Sequence, residues 1–273
     1  MSSQLDPVYV CPRCKESLLE FRCPSCALEF PVHDGIPCFL SGSADAPQGA
    51  RRIYDQIYSH HEDVWVDQGR DEPFLAYFGA LASSISRGRI LEVGCGEGAL
   101  LAHLQGSVKF GIDPSINALR RAMRRSAARC AVAQAERLPF PSSSFELVVS
   151  VGVMEHFEDP DAATADIRRV LVTSGCYMAL IHTDMTLIER LKLKVREFIF
   201  PRFRPRALVR WILKKANHPI VQPLRRSYTI DTAKDCLERN GFALERTITR
   251  KTDPEAPLAG GHVVILIARK SPT

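Results

Sequence analysis

The segment "RILEVGCGEGALL" (residues 89–101) decides the fold class of this 273-residue chain. Five residues that suit a buried strand lead directly into three glycines at alternating positions, and ALLAHL continues with helical spacing. Gly94, Gly96 and Gly98 allow a sharp turn and a close approach of the backbone to a ligand. The segment therefore predicts the first strand, turn and helix of a βαβ sheet that binds a ligand at its carboxyl edge.

The rest of the chain repeats this alternation of strand and helix. Strands are expected at 89–93, 108–113, 131–133, 145–152, 176–183, near 242–249 and at 262–268. Helical patterns separate them, and Ser115 is expected to cap the helix that begins SINALRR. The pattern predicts an α/β fold, Rossmann-like and doubly wound, with a mostly parallel seven-stranded sheet in which only the last pair is antiparallel.

Two carboxylates discriminate between possible ligands of the glycine turn. With Ala99 the glycines also satisfy the relaxed dinucleotide pattern G-x-G-x-x-A, so the glycines alone do not exclude NAD(P). Glu92 would face the diphosphate of a dinucleotide unfavourably, but it suits the ammonium and sulfonium charges of S-adenosylmethionine. Asp113, 19 residues after Gly94, is placed to accept both hydroxyls of a ribose. The alternative for Asp113 is the N-terminal cap of the next helix.

Four motifs extend this interpretation. "ILEVGCGEGALL", "GIDPS", "AERLPFPSSSFELVVS" and "VMEHFEDP" resemble, in order and spacing, the motifs of class I S-adenosylmethionine-dependent methyltransferases, particularly the ubiquinone/menaquinone-biosynthesis-like branch. Many relatives have Asp where this chain has Gln134, so a side-chain contact from that position is not implied. The resemblance implies a cofactor site formed by Glu92, Gly94, Cys95, Gly96 and Gly98 around the methionine part, Asp113 at the ribose, Pro114, Ala135 and Glu136 at the adenine, and Val151 at the crevice.

Three residues are candidate catalytic groups. A sulfonium is an activated methyl donor, so a base is needed only if the acceptor must lose a proton. His156 follows the fourth strand, and His182 and Asp184 follow the fifth, all at the carboxyl edge. His156 is the preferred base, and its alternative is a residue that only shapes the pocket. The Asn-Pro-Pro-Tyr of base-amine methyltransferases is replaced by "VGVMEH", which leaves oxygen, carbon or ring-nitrogen acceptors on small or lipid-linked molecules.

The N-terminal cysteines form a separate motif. Cys11, Cys14, Cys23 and Cys26 have the spacing C-x2-C-x8-C-x2-C, which favours a closed, structural Zn²⁺ site over a thioredoxin-type redox pair. The segment "FPVHDGIPCFL" resembles the end of the small zinc-ribbon proteins that activate tRNA, rRNA and release-factor methyltransferases. We therefore expect a zinc ribbon at 1–40, a linker at 41–49 and a methyltransferase domain at 50–273.

A basic insert is expected as a helical cap at 185–228. Residues 187–226 hold 12 Lys+Arg against 2 Asp+Glu, although the whole chain carries a net charge of only +5. Three roles stay open for this insert: peripheral contact with an anionic membrane, contact with RNA phosphates, or a solvated cover over a small acceptor. Two alternative functions of the whole protein stay open. One is an rRNA or tRNA methyltransferase, and the other is a catalytically silent scaffold that acts through its zinc ribbon and basic cap.

The composition is that of a globular protein, with 45% hydrophobic and 25% charged residues. The first ten residues lack the pattern of a secretory signal, and the longest apolar runs are far below the roughly 18 residues of a membrane span. These features predict a cytoplasmic protein, with peripheral contact at the inner membrane face as an option. The sequence gives no indication of the oligomeric state.

Overall fold

A computed structural model describes residues 9–40, 48–60, 71–183, 226–258 and 262–272. Its centre is a seven-stranded sheet in the order β10-β11-β9-β8-β5-β6-β7. The strands of this sheet are β5 (Arg89–Val93), β6 (Val108–Asp113), β7 (Arg129–Val132), β8 (Phe145–Val151), β9 (Leu171–His182), β10 (Phe242–Ile248) and β11 (Val263–Lys270).

The strand directions confirm the predicted fold class. β5 pairs in parallel with both β6 and β8, and β7 and β9 extend the parallel set on either side. β11 runs antiparallel to both β9 and β10. Since the chain order reverses direction across the sheet at β5, the carboxyl ends of β5, β6 and β8 form the crevice in which such folds bind ligands.

Six helices belong to the described residues, and local sequence signals explain where several of them begin. They are α1 (Gln48–His60), α2 (Glu72–Ile85), α3 (Ala99–His103), α4 (Ile116–Ser126), α5 (Pro160–Val170) and α6 (Ile230–Arg239). Asp71, Ser115, Asp159 and Thr229 cap α2, α4, α5 and α6 with their side-chain oxygens. The first helix starts at Gln48, which lies inside the segment predicted as a linker.

The N-terminal segment forms two small antiparallel hairpins and continues the edge of the large sheet. The hairpins are β1 (Arg22–Cys23) with β2 (Leu28–Glu29), and β3 (Val32–His33) with β4 (Ile36–Pro37). Directly after β4, Cys38 bridges Val132 in parallel, and the Phe39 N–H donates to the Val132 carbonyl at 2.8 Å. This contact places the segment against β7, the edge strand of the sheet.

The interior of the N-terminal segment is continuous with the core of the sheet. Phe30 and Phe39 are buried in the same hydrophobic cluster as Phe110 and Phe140. The Tyr9 ring lies 5.2 Å from the Phe39 ring and 5.4 Å from the Phe140 ring, measured between centroids. Aromatic side chains of this size contribute much of the apolar area buried in a core, so the two parts stabilise each other.

Polar contacts fix the same interface. The Lys15 ammonium lies 3.1 Å from the Asp166 carboxylate and 3.3 Å from the Leu138 carbonyl. The Val10 N–H donates to the Pro139 carbonyl at 3.0 Å. These bonds connect the N-terminal segment to the loop that follows β7, which the sequence assigns to the adenine.

Most of the basic insert predicted at 185–228 lies outside the described residues, and nothing in the structure tests its helices. Over the described part of the chain, no helix combines the length and the apolar character that a membrane crossing requires.

We expect Phe39→Ala to lower the free energy of unfolding of the whole chain by about 3 to 5 kcal/mol, because it removes a buried ring from the shared core. Urea denaturation followed by fluorescence and by circular dichroism measures this change. Leu19→Ala is the control, since Leu19 is 67% exposed and its truncation should leave stability nearly unchanged. Equal midpoints for Phe39→Ala and wild type would show that the two parts do not share a core.

Candidate functional site

The glycine turn after β5 has a backbone shape that only glycine adopts easily. Gly94 and Gly98 have φ angles of +68° and +74°. A Cβ on Gly94 would lie 2.4 Å from the nearer methyl carbon of Val153, and one on Gly98 would lie 2.8 Å from the Cα of Ala122. The turn is therefore packed against both the loop after β8 and helix α4.

Asp113 connects this turn to the end of the neighbouring strand. Its Oδ2 accepts from the Gly96 N–H at 3.0 Å, and its Oδ1 accepts from the Ser115 N–H at 2.9 Å. The cap of α4 is Ser115, whose hydroxyl accepts from the Ala118 N–H at 3.3 Å. Asp113 is thus not the helix cap, and its buried carboxylate lies at the carboxyl edge where the sequence places the ribose.

Glu92 and Cys95 are buried on either side of Gly94. Glu92, on β5, is 3% exposed and pairs in register with Gly111 on one side and Val149 on the other. The Cys95 N–H donates to the Ile112 carbonyl at 3.0 Å. Burial, followed by the neighbouring Cys130 thiol, raises the pKa of the Cys95 thiol well above its ordinary value. Cys95 therefore stays a neutral thiol that packs beneath the turn.

The predicted adenine residues lie on two loops at the same edge. Ala135 and Glu136 form a 3-10 turn (Ala135–Arg137) after β7, and Pro114 follows β6. The Glu136 carboxylate accepts from the Glu158 N–H at 2.8 Å, and burial raises its pKa. The Glu136 side chain thus bonds to the loop after β8, so its contact with adenine stays a prediction.

Val151 ends β8, and the turn after it contains a buried carboxylate that sequence reasoning missed. Glu155, in the 3-10 turn Met154–His156, is 1% exposed. One of its oxygens accepts from the His182 backbone N–H at 2.5 Å and lies 2.9 Å from the His182 Nδ1. The motif "VMEHFEDP" includes Glu155, but only the fold shows that it meets the end of β9.

The ionisation of Glu155 follows from these contacts. Burial alone raises the pKa of the Glu155 carboxyl, but the hydrogen bonds from His182 outweigh burial and hold it below its ordinary value. Glu155 is therefore a carboxylate at neutral pH. The buried charge is compensated by one histidine ring and one backbone N–H.

The three predicted catalytic residues are in different surroundings. The His156 ring packs edge-on against the Tyr54 ring, with centroids 6.5 Å apart. The His182 ring lies 6.5 Å from the His262 ring, on the strand next to the Glu155 turn. Asp184 lies outside the described residues. The structure thus gives His182 a bonded carboxylate partner, Glu155.

The four predicted metal-binding cysteines converge at one point. Their sulfur atoms all lie within 4.8 Å of one another. Tetrahedral Zn²⁺ with bonds of about 2.3 Å needs sulfur separations of about 3.8 Å, so only small adjustments would complete such a site. Cys11 and Cys23 are buried, Cys26 is half-buried and Cys14 is exposed. The donor set fits a closed structural zinc site.

Comparison with known proteins agrees with this geometry. Residues 91–179 match the sequence family described as "Methyltransferase domain". This range contains the glycine turn, Asp113 and the Glu155 turn. The match supports the prediction of a methyltransferase domain over this part of the chain.

Two curated relatives are similar over this region. The chain is 25% identical over 185 residues to 2-methyl-6-phytyl-1,4-hydroquinone methyltransferase 1 of Oryza sativa subsp. japonica, covering 63% of this chain and 54% of the relative. It is 34% identical over 116 residues to malonyl-[acyl-carrier protein] O-methyltransferase of Geobacter sulfurreducens, covering 40% of this chain and 43% of the relative. The chain thus spans about half the length of these relatives.

A solved structure shares the fold. It is an S-adenosylmethionine-dependent methyltransferase of Thermotoga maritima, described as a possible histamine N-methyltransferase, with a TM-score of 0.57 and 18% identity. The similarity covers 81% of this chain and 99% of that structure. The comparison establishes the architecture and leaves the acceptor open.

We expect Gly98→Ala to weaken binding of S-adenosylmethionine by at least about tenfold, because the new methyl group would push α4 away from the turn. Isothermal titration calorimetry measures the affinity. Gly35→Ala is a matched control, since Gly35 also has a positive φ, +79°, but lies in the N-terminal segment with open space around it. Weaker binding in both variants would point to general destabilisation instead of a local effect on the turn.

Proposed function

We propose that this protein is an S-adenosylmethionine-dependent methyltransferase that transfers a methyl group to an oxygen, carbon or ring-nitrogen atom of a small-molecule or lipid-linked acceptor. The observation that carries the proposal is the Asp113 carboxylate, which lies beside the glycine turn inside the segment matched by the methyltransferase family. A carboxylate at this edge suits ribose hydroxyls, and the buried Glu92 suits a cation.

Different residues of the chain would bind different parts of the cofactor. When bound, the cofactor supplies a methyl group on a positively charged sulfur. Asp113 accepts hydrogen bonds from the ribose, and Glu92 favours the positive charge of the methionine part. Pro114, Ala135 and Glu136 border the adenine, and Val151 borders the crevice that excludes water from the reacting atoms.

The acceptor is proposed to enter beside the turn after β8. Thr183 bridges Tyr228, and the Arg226 N–H donates to the Glu155 carbonyl at 2.8 Å. The basic insert therefore leaves and rejoins the domain next to Glu155. We further propose that residues 187–226 contact either a membrane surface or RNA. The proposed location of the protein is the cytoplasm, with peripheral contact at the inner membrane face as an option.

The relatives indicate which acceptors to examine. One relative carries a hydroquinone in its name and the other a malonyl group on a carrier protein. Both names describe oxygenated small molecules joined to a longer group. We propose the same broad class for this chain.

We propose that Cys11, Cys14, Cys23 and Cys26 hold one structural Zn²⁺ in a zinc ribbon. Four thiolates leave no coordination position open for water, so this metal would stabilise the fold and take no part in methyl transfer. The support for this proposal is the convergence of the four sulfur atoms and the shared core with the sheet.

Calorimetry with S-adenosylmethionine tests the proposed function. Asp113→Ala should weaken binding by about tenfold to hundredfold, because it removes charge-assisted hydrogen bonds worth about 1.5 to 3 kcal/mol. Asp235→Ala, an exposed change on α6, should bind like wild type. A wild-type protein that shows no binding would contradict the methyltransferase proposal and favour the scaffold alternative.

Metal analysis tests the ribbon. We expect about one zinc per purified chain, and loss of that zinc together with a lower melting temperature in Cys23→Ser. Cys38→Ser is the matched control, since Cys38 is also buried in this segment but lies outside the cluster. The zinc site would be refuted if purified wild-type protein held no metal and chelators left its melting temperature unchanged.

A further inference from the structure

We propose that Glu155 is a positioning residue that holds His182 as the general base, and that the acceptor is a group, such as a hydroxyl, that loses a proton as it is methylated. This inference rests on the methyl-transfer function proposed above and narrows its substrate class.

The geometry fixes both the position and the tautomer of His182. The Glu155 carboxylate lies 2.9 Å from Nδ1 and also accepts from the His182 backbone N–H at 2.5 Å. An ionised carboxylate only accepts hydrogen bonds, so Nδ1 carries the proton in this contact, and in the neutral ring Nε2 then keeps its lone pair. A buried carboxylate that orients a histidine in this way is the arrangement that makes imidazole an effective base.

His182 is also accessible from the acceptor side. Its side chain is 32% exposed, whereas the Glu155 side chain is 2% exposed. The ring lies at the carboxyl end of β9, beside the Thr183–Tyr228 bridge where the insert leaves and rejoins the domain. A substrate that reaches this edge therefore meets the ring and not the carboxylate.

Other titratable groups surround the pair. His262 faces the His182 ring, and Tyr228 and Tyr177 lie near Glu155. The Tyr177 hydroxyl is bonded to the Ser150 hydroxyl at 2.8 Å, and burial raises the pKa of both tyrosines. Both tyrosines stay neutral near pH 7, whereas Glu155 and His262 are ionisable side chains that face the His182 ring.

The pair restricts the acceptor by its chemistry. A carboxylate acceptor is already ionised at neutral pH and needs no base. A hydroxyl acceptor must lose its proton as it attacks, which is the step a general base accelerates. The acceptor oxygen bonds to the methyl carbon while the carbon–sulfur bond breaks with its electron pair on sulfur. The acceptor proton passes to His182 Nε2 and then to water.

The test uses the full chain with two probe acceptors, 1,4-dihydroxynaphthalene and a malonyl thioester of pantetheine. We expect methylation of the dihydroxynaphthalene, and Glu155→Gln should lower kcat by at least about a hundredfold with KM for S-adenosylmethionine changed by less than about twofold. In wild type kcat/KM should rise with pH on the acidic side, and His182→Asn should lose this dependence. Glu158→Gln, an exposed carboxylate on the same loop, is the control.

Binding calorimetry separates this inference from the proposed function. Unchanged cofactor binding in Glu155→Gln with lost turnover supports the inference, whereas absent binding in wild type removes the function itself. Methylation of the malonyl probe alone, or wild-type kcat in Glu155→Gln, overturns the inference. If neither probe is methylated, nitrogen-15 NMR of the histidines in the cofactor-bound chain decides: a neutral His182 ring protonated on Nδ1 supports the inference, and a neutral ring protonated on Nε2 refutes it.

Discussion

The hydrogen bonds accepted by Asp113 are the constraint on which the site depends. A glycine-rich turn has little side-chain packing of its own and loses much conformational entropy when it orders. Asp113 offsets part of this cost by accepting from Gly96 on one side and Ser115 on the other. The same carboxylate therefore shapes the turn after β5 and holds Ser115, which caps the helix after β6, so the ligand finds a preformed crevice.

A second buried carboxylate organises the opposite side of that crevice. Glu155 joins the turn after β8 to the end of β9, and its own carbonyl accepts from Arg226. The two carboxylates accept hydrogen bonds from different kinds of donor group. Asp113 accepts from two backbone N–H groups, as suits a fixed binding element, whereas Glu155 bonds a titratable ring, as suits a step that moves a proton.

The sequence predicted the strands, the parallel order and the cysteine cluster, because each leaves a local signal in spacing or hydrophobic period. Strand β9 begins at Leu171, five residues earlier than expected, since exposed residues near its start hide the pattern. The Glu155–His182 contact could not be predicted, because it joins residues 27 apart through the pairing of β8 with β9. The cluster that Phe39 shares with Phe140 is also non-local, because the two residues lie far apart in the sequence.

The position of Cys38 and Phe39 on the β7 edge has a consequence for assembly. An N-terminal segment supplied as a separate protein would have to bind from solution, and its occupancy would fall on dilution. Here the segment belongs to the same chain, so its effective concentration at the β7 edge is on the order of millimolar and independent of protein concentration. The pairing of the segment with the sheet is thus fixed at one to one by synthesis.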